Sequence, residues 1–180
     1  MRALLSLVLG AVILFSCGGK PDRKETIVLS SGFSMSDVSW FYKKGDNMLI
    51  GQAFLRTENG TVITCAGYEV QLIPYSEYAA ERLRFIYGND KEGFIPIEKY
   101  PKKIKFYPDY AEFDRVKKTA VCDANGIFKF KDLPDGTYFV ITKIIWYAPR
   151  LKGGYLMKRV TLEKGEVREL LLSRQVMEEE

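Results

Sequence analysis

From about residue 47 onward, apolar and polar residues alternate in short runs, and each run closes on a turn signal. Residues 48–56 form a strand candidate that ends at Glu58-Asn59-Gly60. Asn-Gly suits a tight hairpin because both residues tolerate positive φ. Residues 61–66 and 68–74 follow. In the second run Val70 and Leu72 alternate with Glu69 and Gln71, and Pro74 ends the strand. Residues 118–122 lead into the turn Asp123-Ala124-Asn125-Gly126, and residues 127–130 lead into Leu133-Pro134-Asp135-Gly136. Residues 137–146 make a long apolar strand. Residues 155–162 and 167–172, joined by Glu163-Lys164-Gly165-Glu166, complete the set. Short strands at this spacing predict an all-β fold, a Greek-key β-sandwich of about seven strands.

The pattern changes between residues 76 and 117, which read as an insertion. Residues 76–88 carry a helical period: Ser76 can cap the start, Gly88 can close the end, and Tyr78, Leu83, Ile86 and Tyr87 lie near one face. Residues 89–118 contain Pro96, Pro101 and Pro108, which predicts a long excursion with little regular structure. Ahead of the domain, residues 17–46 read as a tether and lead-in. Within it, Ile27-Val28-Leu29 can form a short extra strand, and residues 38–42 are aromatic enough to pack on the domain edge. The expected domain is 47–175, followed by a polar tail at 176–180.

Composition narrows the function more than the fold. The chain has 180 residues, 47% apolar and 28% charged, enough for one globular domain with its own core. The net charge of +4 is spread along the chain, so no nucleic-acid footprint is present. The chain contains no histidine. A Ser-His-Asp or Cys-His nucleophile cannot be built, nor a His-ligated metal site. The expectation is a non-enzyme without metal or cofactor.

The first sixteen residues read as an address. Arg2 precedes an uncharged apolar run, residues 3–15, that is shorter than the roughly 20 residues a membrane-spanning helix needs and suits a secretory signal. The run ends in Leu14-Phe15-Ser16-Cys17-Gly18-Gly19, which resembles the lipobox of bacterial lipoproteins. The resemblance implies cleavage before Cys17 and lipidation of Cys17 by palmitate-like acyl chains. Each buried methylene contributes about 0.8 kcal/mol, so two or more chains hold a domain stably at a membrane. No Asp follows Cys17, which favours the outer membrane over the inner.

A second resemblance rests on residues 123–140, Asp123-Ala124-Asn125-Gly126 through Leu133-Pro134-Asp135-Gly136 to Val140, and on residues 51–57 and 67–74. These stretches are similar to the core signature of carboxypeptidase regulatory-like domains, which are transthyretin-like (prealbumin-type) β-sandwiches. The family implies a structural, adhesive or carbohydrate-associated module rather than a peptidase. With Cys17 taken by the lipid, Cys65 and Cys122 remain as an even pair beside strands that this fold would bring together. A disulfide between them is expected in an exported protein.

The candidate binding surface lies in the insertion. Tyr100, Lys102, Lys103, Phe106, Tyr107 and Tyr110 interleave basic and aromatic residues. Such a surface can stack on sugar rings or grip a partner; equally, the loop can cover a sheet edge with its aromatics tucked inward. The carboxylates Asp109, Glu112, Asp114 and Asp123 invite a glycosidase or calcium reading, but nothing fixes their separation, and a turn explains Asp123. The resulting expectation is a membrane-anchored envelope lipoprotein whose non-catalytic module binds a glycan, peptidoglycan or protein partner. The alternatives are a structural accessory of an envelope assembly and, less favoured, a carboxylate-dependent hydrolase.

Overall fold

The computed structural model describes residues 25–101 and 104–176. In chain order its elements are β1 (Glu25–Val28), a 3-10 helix (Met35–Tyr42), β2 (Asn47–Thr57), β3 (Val62–Thr64), β4 (Glu69–Pro74), α1 (Glu77–Tyr87), β5 (Glu92–Pro96) and β6 (Ile104–Tyr107). A short 3-10 turn (Phe113–Arg115) follows, then β7 (Lys118–Val121), β8 (Ile127–Leu133), β9 (Gly136–Tyr147), β10 (Leu151–Leu162) and β11 (Val167–Val176).

Two sheets pack face to face, one ordered β5-β10-β9-β4-β7, the other built on β2 with β11 on one side and both β3 and β8 on the other. The chain is an all-β sandwich with one short α-helix. Alternation builds the core. Val70 and Leu72 of β4, and Tyr138, Val140 and Ile144 of β9, point inward to meet Leu49, Ala53 and Leu55 of β2 and Phe128 and Phe130 of β8. Each such side chain contributes about 1.5–3 kcal/mol by leaving water.

The chain crosses between the sheets at four connections, β3–β4, β7–β8, β8–β9 and β10–β11. Cys65 follows β3 and Cys122 follows β7, and a disulfide joins them with Cα atoms 5.7 Å apart. The Asp123–Gly126 turn beside it is set by its own side chain. The Asp123 Oδ1 accepts from the N–H groups of Asn125 and Ile127, at 2.9 Å each. Gly126 closes the turn at φ +74°, where a Cβ would come within 2.7 Å of the Ala53 carbonyl oxygen. One polar residue is buried by design of the turns around it. The Asn47 amide donates to the Leu133 carbonyl at 3.0 Å and to Asp135 Oδ1 at 2.8 Å, and its oxygen accepts from the Glu166 N–H at 2.8 Å.

Three features differ from the sequence expectation. Among the described residues the strands number eleven, because the lead-in and insertion add β1, β5 and β6 to the eight that make the expected sandwich. The lead-in packs more deeply than the expected contact of residues 38–42 with the domain edge: its 3-10 helix places Val38 and Phe41, both fully buried, in the main core. The excursion after α1 is ordered as strands. β5 extends the larger sheet by pairing antiparallel with β10, and β6 pairs parallel with β1.

The insertion therefore adds a layer outside the sandwich. Ser76 caps α1 by accepting from the Ala79 N–H at 3.2 Å, and Gly88 ends it in the left-handed region. Instead of one apolar face, α1 has two. Ala79, Ala80 and Leu83 pack on Phe139 and Met157 of the sheet's outer face. Tyr78 and Ile86 pack on Leu29, Ile104 and Phe106 in and beside the β1–β6 pair.

Candidate functional site

Strand alternation that sends Val70, Leu72 and Leu156 into the sandwich sends their neighbours outward. Glu69, Gln71 and Ile73 of β4, Ile141 and Lys143 of β9 and Tyr155 of β10 thus form the floor of a cleft of about 610 Å³. One wall is α1, through Leu83, Ile86 and Tyr87. The opposite boundary is the segment after β6, through Phe113, Asp114 and Lys117. Its volume falls within the range of about 300–1,000 Å³ usual for small-ligand sites.

Three tyrosines gather at one end. The Tyr100 and Tyr155 rings stack with centroids 4.2 Å apart and a 30° tilt. Tyr87 is wedged over Gly93, where a Cβ would come within 2.8 Å of its ring. Burial pushes the Tyr87 phenol far above its ordinary range, and Tyr100 and Tyr155 push it further. Burial and Tyr155 likewise raise Tyr100. Those two hydroxyls stay protonated at physiological pH and can both donate and accept.

Polar groups line the rest. Gln71 Nε2 donates to Glu69 Oε1 at 2.9 Å, which orients both side chains across the floor. Lys143 Nζ sits 5.8 Å from the Tyr68 ring centroid. Glu69 and Asp114 line the cleft together with Lys117 and Lys143, so carboxylates and ammonium groups balance in number. Arg82 also borders the cleft but serves the wall. Its guanidinium lies 4.6 Å from the Phe106 ring centroid and 4.9 Å from that of Phe113, donates to the Tyr78 hydroxyl at 3.1 Å, and reaches Asp109 at 3.5 Å. This arrangement offers aromatic faces and paired hydrogen-bonding groups. Among the described residues no group of three or more His, Cys, Asp or Glu side chains could hold a metal ion.

The interleaved basic and aromatic residues do not share one surface. Tyr100 enters the cleft. Phe106 is buried against Arg82 and Phe85, and Tyr110 is half-buried against Phe33 and Tyr78. Tyr107, next to Phe106 on β6, is 63% exposed on the other side of the strand. Lys102, Lys103 and Cys17 lie outside the described residues. Asp109 pairs with Arg82, Asp123 holds its own turn, and Asp114 borders the cleft. Sequence reading missed Tyr155 and Tyr87. A signal for Tyr155 was present: Tyr155 and Met157 are large on the face of β10 opposite Leu156, and a strand that is bulky on both faces expects a second covering layer.

No family model matches the chain, and no curated protein matches it. Among solved structures, the crystal structure of a candidate carbohydrate-binding protein from Pseudomonas aeruginosa is similar with a TM-score of 0.67. The two are 21% identical, and the match covers 80% of this chain and 99% of the other. The likeness shows a shared fold.

Among the described residues no helix is long and apolar enough to cross a membrane.

Proposed function

We propose that this chain is a carbohydrate-binding module, held at the cell envelope by a lipid on Cys17, and that the cleft under α1 is its binding site. The observation that carries the reading is the stacked Tyr100–Tyr155 pair beside Gln71, Glu69 and Lys143. Saccharides are bound by aromatic rings against their C–H faces and by polar groups that exchange hydrogen bonds with their hydroxyls. This cleft presents both, with balanced charge, which suits a neutral sugar chain. The fold shared with a candidate carbohydrate-binding protein is in keeping with this reading. So is the likeness of residues 123–140 to carboxypeptidase regulatory-like domains.

A glycan array probed with the full chain and with Tyr100→Ala tests the site. The wild type should select a set of neutral glycans that the variant loses; identical profiles for the two would refute the assignment. Metabolic labelling with a fatty-acid analogue tests the anchor. Label in the wild type and none in Cys17→Ala is expected, and unlabelled wild type would refute the lipid.

A further inference from the structure

The larger sheet carries α1 on its outer face. On the outer face of the smaller sheet no side chain belongs to any of the buried clusters. Alternation along β2 sends Leu49, Ala53 and Leu55 into the core and Ile50, Gln52 and Phe54 outward. Strand pairing fixes what stands on either side of these three. Glu169 of β11 and Lys129 of β8 flank Ile50, and Leu171 and Ile127 of the same two strands flank Gln52. Ser173 of β11 and Thr64 of β3 flank Phe54. Leu171 is 48% exposed, a large apolar side chain left in water. Glu169 and Lys129 are exposed as well. They stand two strand spacings apart, about 10 Å, too far to pair with each other. Neither forms an ion pair with another described residue.

These rows have a symmetry of their own. About the line of β2, the first sets opposite charges against each other, the second two aliphatic side chains, the third two hydroxyls. We propose that this face is the interface of a homodimer whose twofold axis runs along β2. Turning a second copy over about that axis lays Glu169 of one copy on Lys129 of the other, Leu171 on Ile127 and Ser173 on Thr64. Ile50 and Phe54 each meet their own copy on the axis, and Gln52 keeps its bond to the Asn125 carbonyl at 3.1 Å. Such an interface is isologous, the usual form for a dimer. Charge selects the axis: turning about a line across the strands would lay Glu169 on Glu169 and Lys129 on Lys129. Arg56, about 20 Å along β2 from Ile50, is carried away from its own copy by the rotation of about 30° between packed sheets. Three strands about 4.8 Å apart, over about nine residues of about 3.3 Å each, offer roughly 430 Å² of face per copy. Two such faces fall short of the roughly 1,200–2,000 Å² of a standard stable interface, so the dimer should form in the micromolar range.

Sedimentation velocity of the full chain reads the association. The wild type should pass from one copy to two across the micromolar range. Lys129→Glu and Glu169→Lys each turn both symmetry-related pairs into like charges, and each should weaken association at least tenfold. Mixed in equal amounts, the two variants should form a dimer with nearly wild-type affinity, because every Glu then faces a Lys again. Both positions are exposed, so both variants should keep the wild-type urea midpoint. A wild type that stays single throughout would overturn the proposal. So would single changes without effect, the result that association through acyl chains would give, or variants that stay apart when mixed.

Discussion

Loss of the Cys65–Cys122 bond should weaken the fold more than any ordinary surface change. The two cysteines are 57 residues apart in sequence, and the bond ties together two of the connections where the chain passes from one sheet to the other. In the chain-entropy model, cross-linking a loop of that length removes enough freedom from the unfolded chain to stabilise the fold by about 4 kcal/mol. The loop contains α1, β5 and β6, so the reduced unfolded chain regains the freedom of the whole insertion. The native state loses little packing, because both cysteines are buried small side chains whose surroundings remain. The assay is urea unfolding, followed by tyrosine and tryptophan emission, of the oxidised chain and of Cys65→Ser/Cys122→Ser. With a denaturant slope of about 2 kcal/mol per molar, the midpoint should fall by about 2 M. Equal midpoints at equal slopes would refute the reasoning, since they would mean that the 57-residue loop is constrained in the unfolded chain without the bond.

Two further outcomes follow from the packing of the lead-in. Glu81 accepts from the N–H groups of Ser30 and Ser31, at 2.8 Å each, and the first of these bonds, with the others at its carboxylate, holds its pKa down to about 2 from an ordinary 4.5. Because the folded value is depressed, the stabilisation is complete above about pH 4.5 and is lost as pH falls toward 2. Glu81→Gln should therefore cost about 1–2 kcal/mol at pH 7 and nothing near pH 2, as measured by denaturation at both values. Phe41→Ala should cost about 3–5 kcal/mol in the same assay, because the lead-in helix places this fully buried ring in the main core; a cost below 1 kcal/mol would return the segment to the status of a tether.

Apart from β5, the strands of the two main sheets were legible because each carries its own evidence. Alternation in residues 68–74, and the Asn-Gly and Asp-Gly turns that close 48–56, 127–130 and their neighbours, are local signals that need no knowledge of partners. The cap at Ser76 and the stop at Gly88 gave α1 for the same reason. The insertion strands were not legible. β6 is four residues long and pairs with β1, far upstream in the chain, so nothing local marks it as a strand. Pro96 and Pro101 around β5 looked like interruptions but mark its end and the following loop. In the lead-in, the aromatic residues 38–42 were marked for packing on the domain edge, but Val38 and Phe41 stand only three apart, too short a stretch to show a helix or its depth in the core.

The candidate site followed the same division. Tyr100 was picked out by composition, and it does enter the cleft. Phe106 and Tyr107 were grouped with it by adjacency, but neighbouring residues on a strand face opposite ways, so one is buried and the other exposed. Tyr155 comes to Tyr100 from β10 across the loop that follows β5, a juxtaposition set by the β5–β10 register. The disulfide was accessible because cysteine arithmetic left one pair and the fold resemblance brought its strands together.

The stacked tyrosines can be tested most directly by calorimetric titration of the full chain with its best array glycan, comparing wild type with Tyr155→Ala. Removing one face of the pair should cost about 2 kcal/mol, roughly a 30-fold loss of affinity, with the unfolding midpoint within about 0.5 M urea of wild type. Unchanged affinity in a folded Tyr155→Ala chain would contradict the claim that this cleft is where the sugar binds.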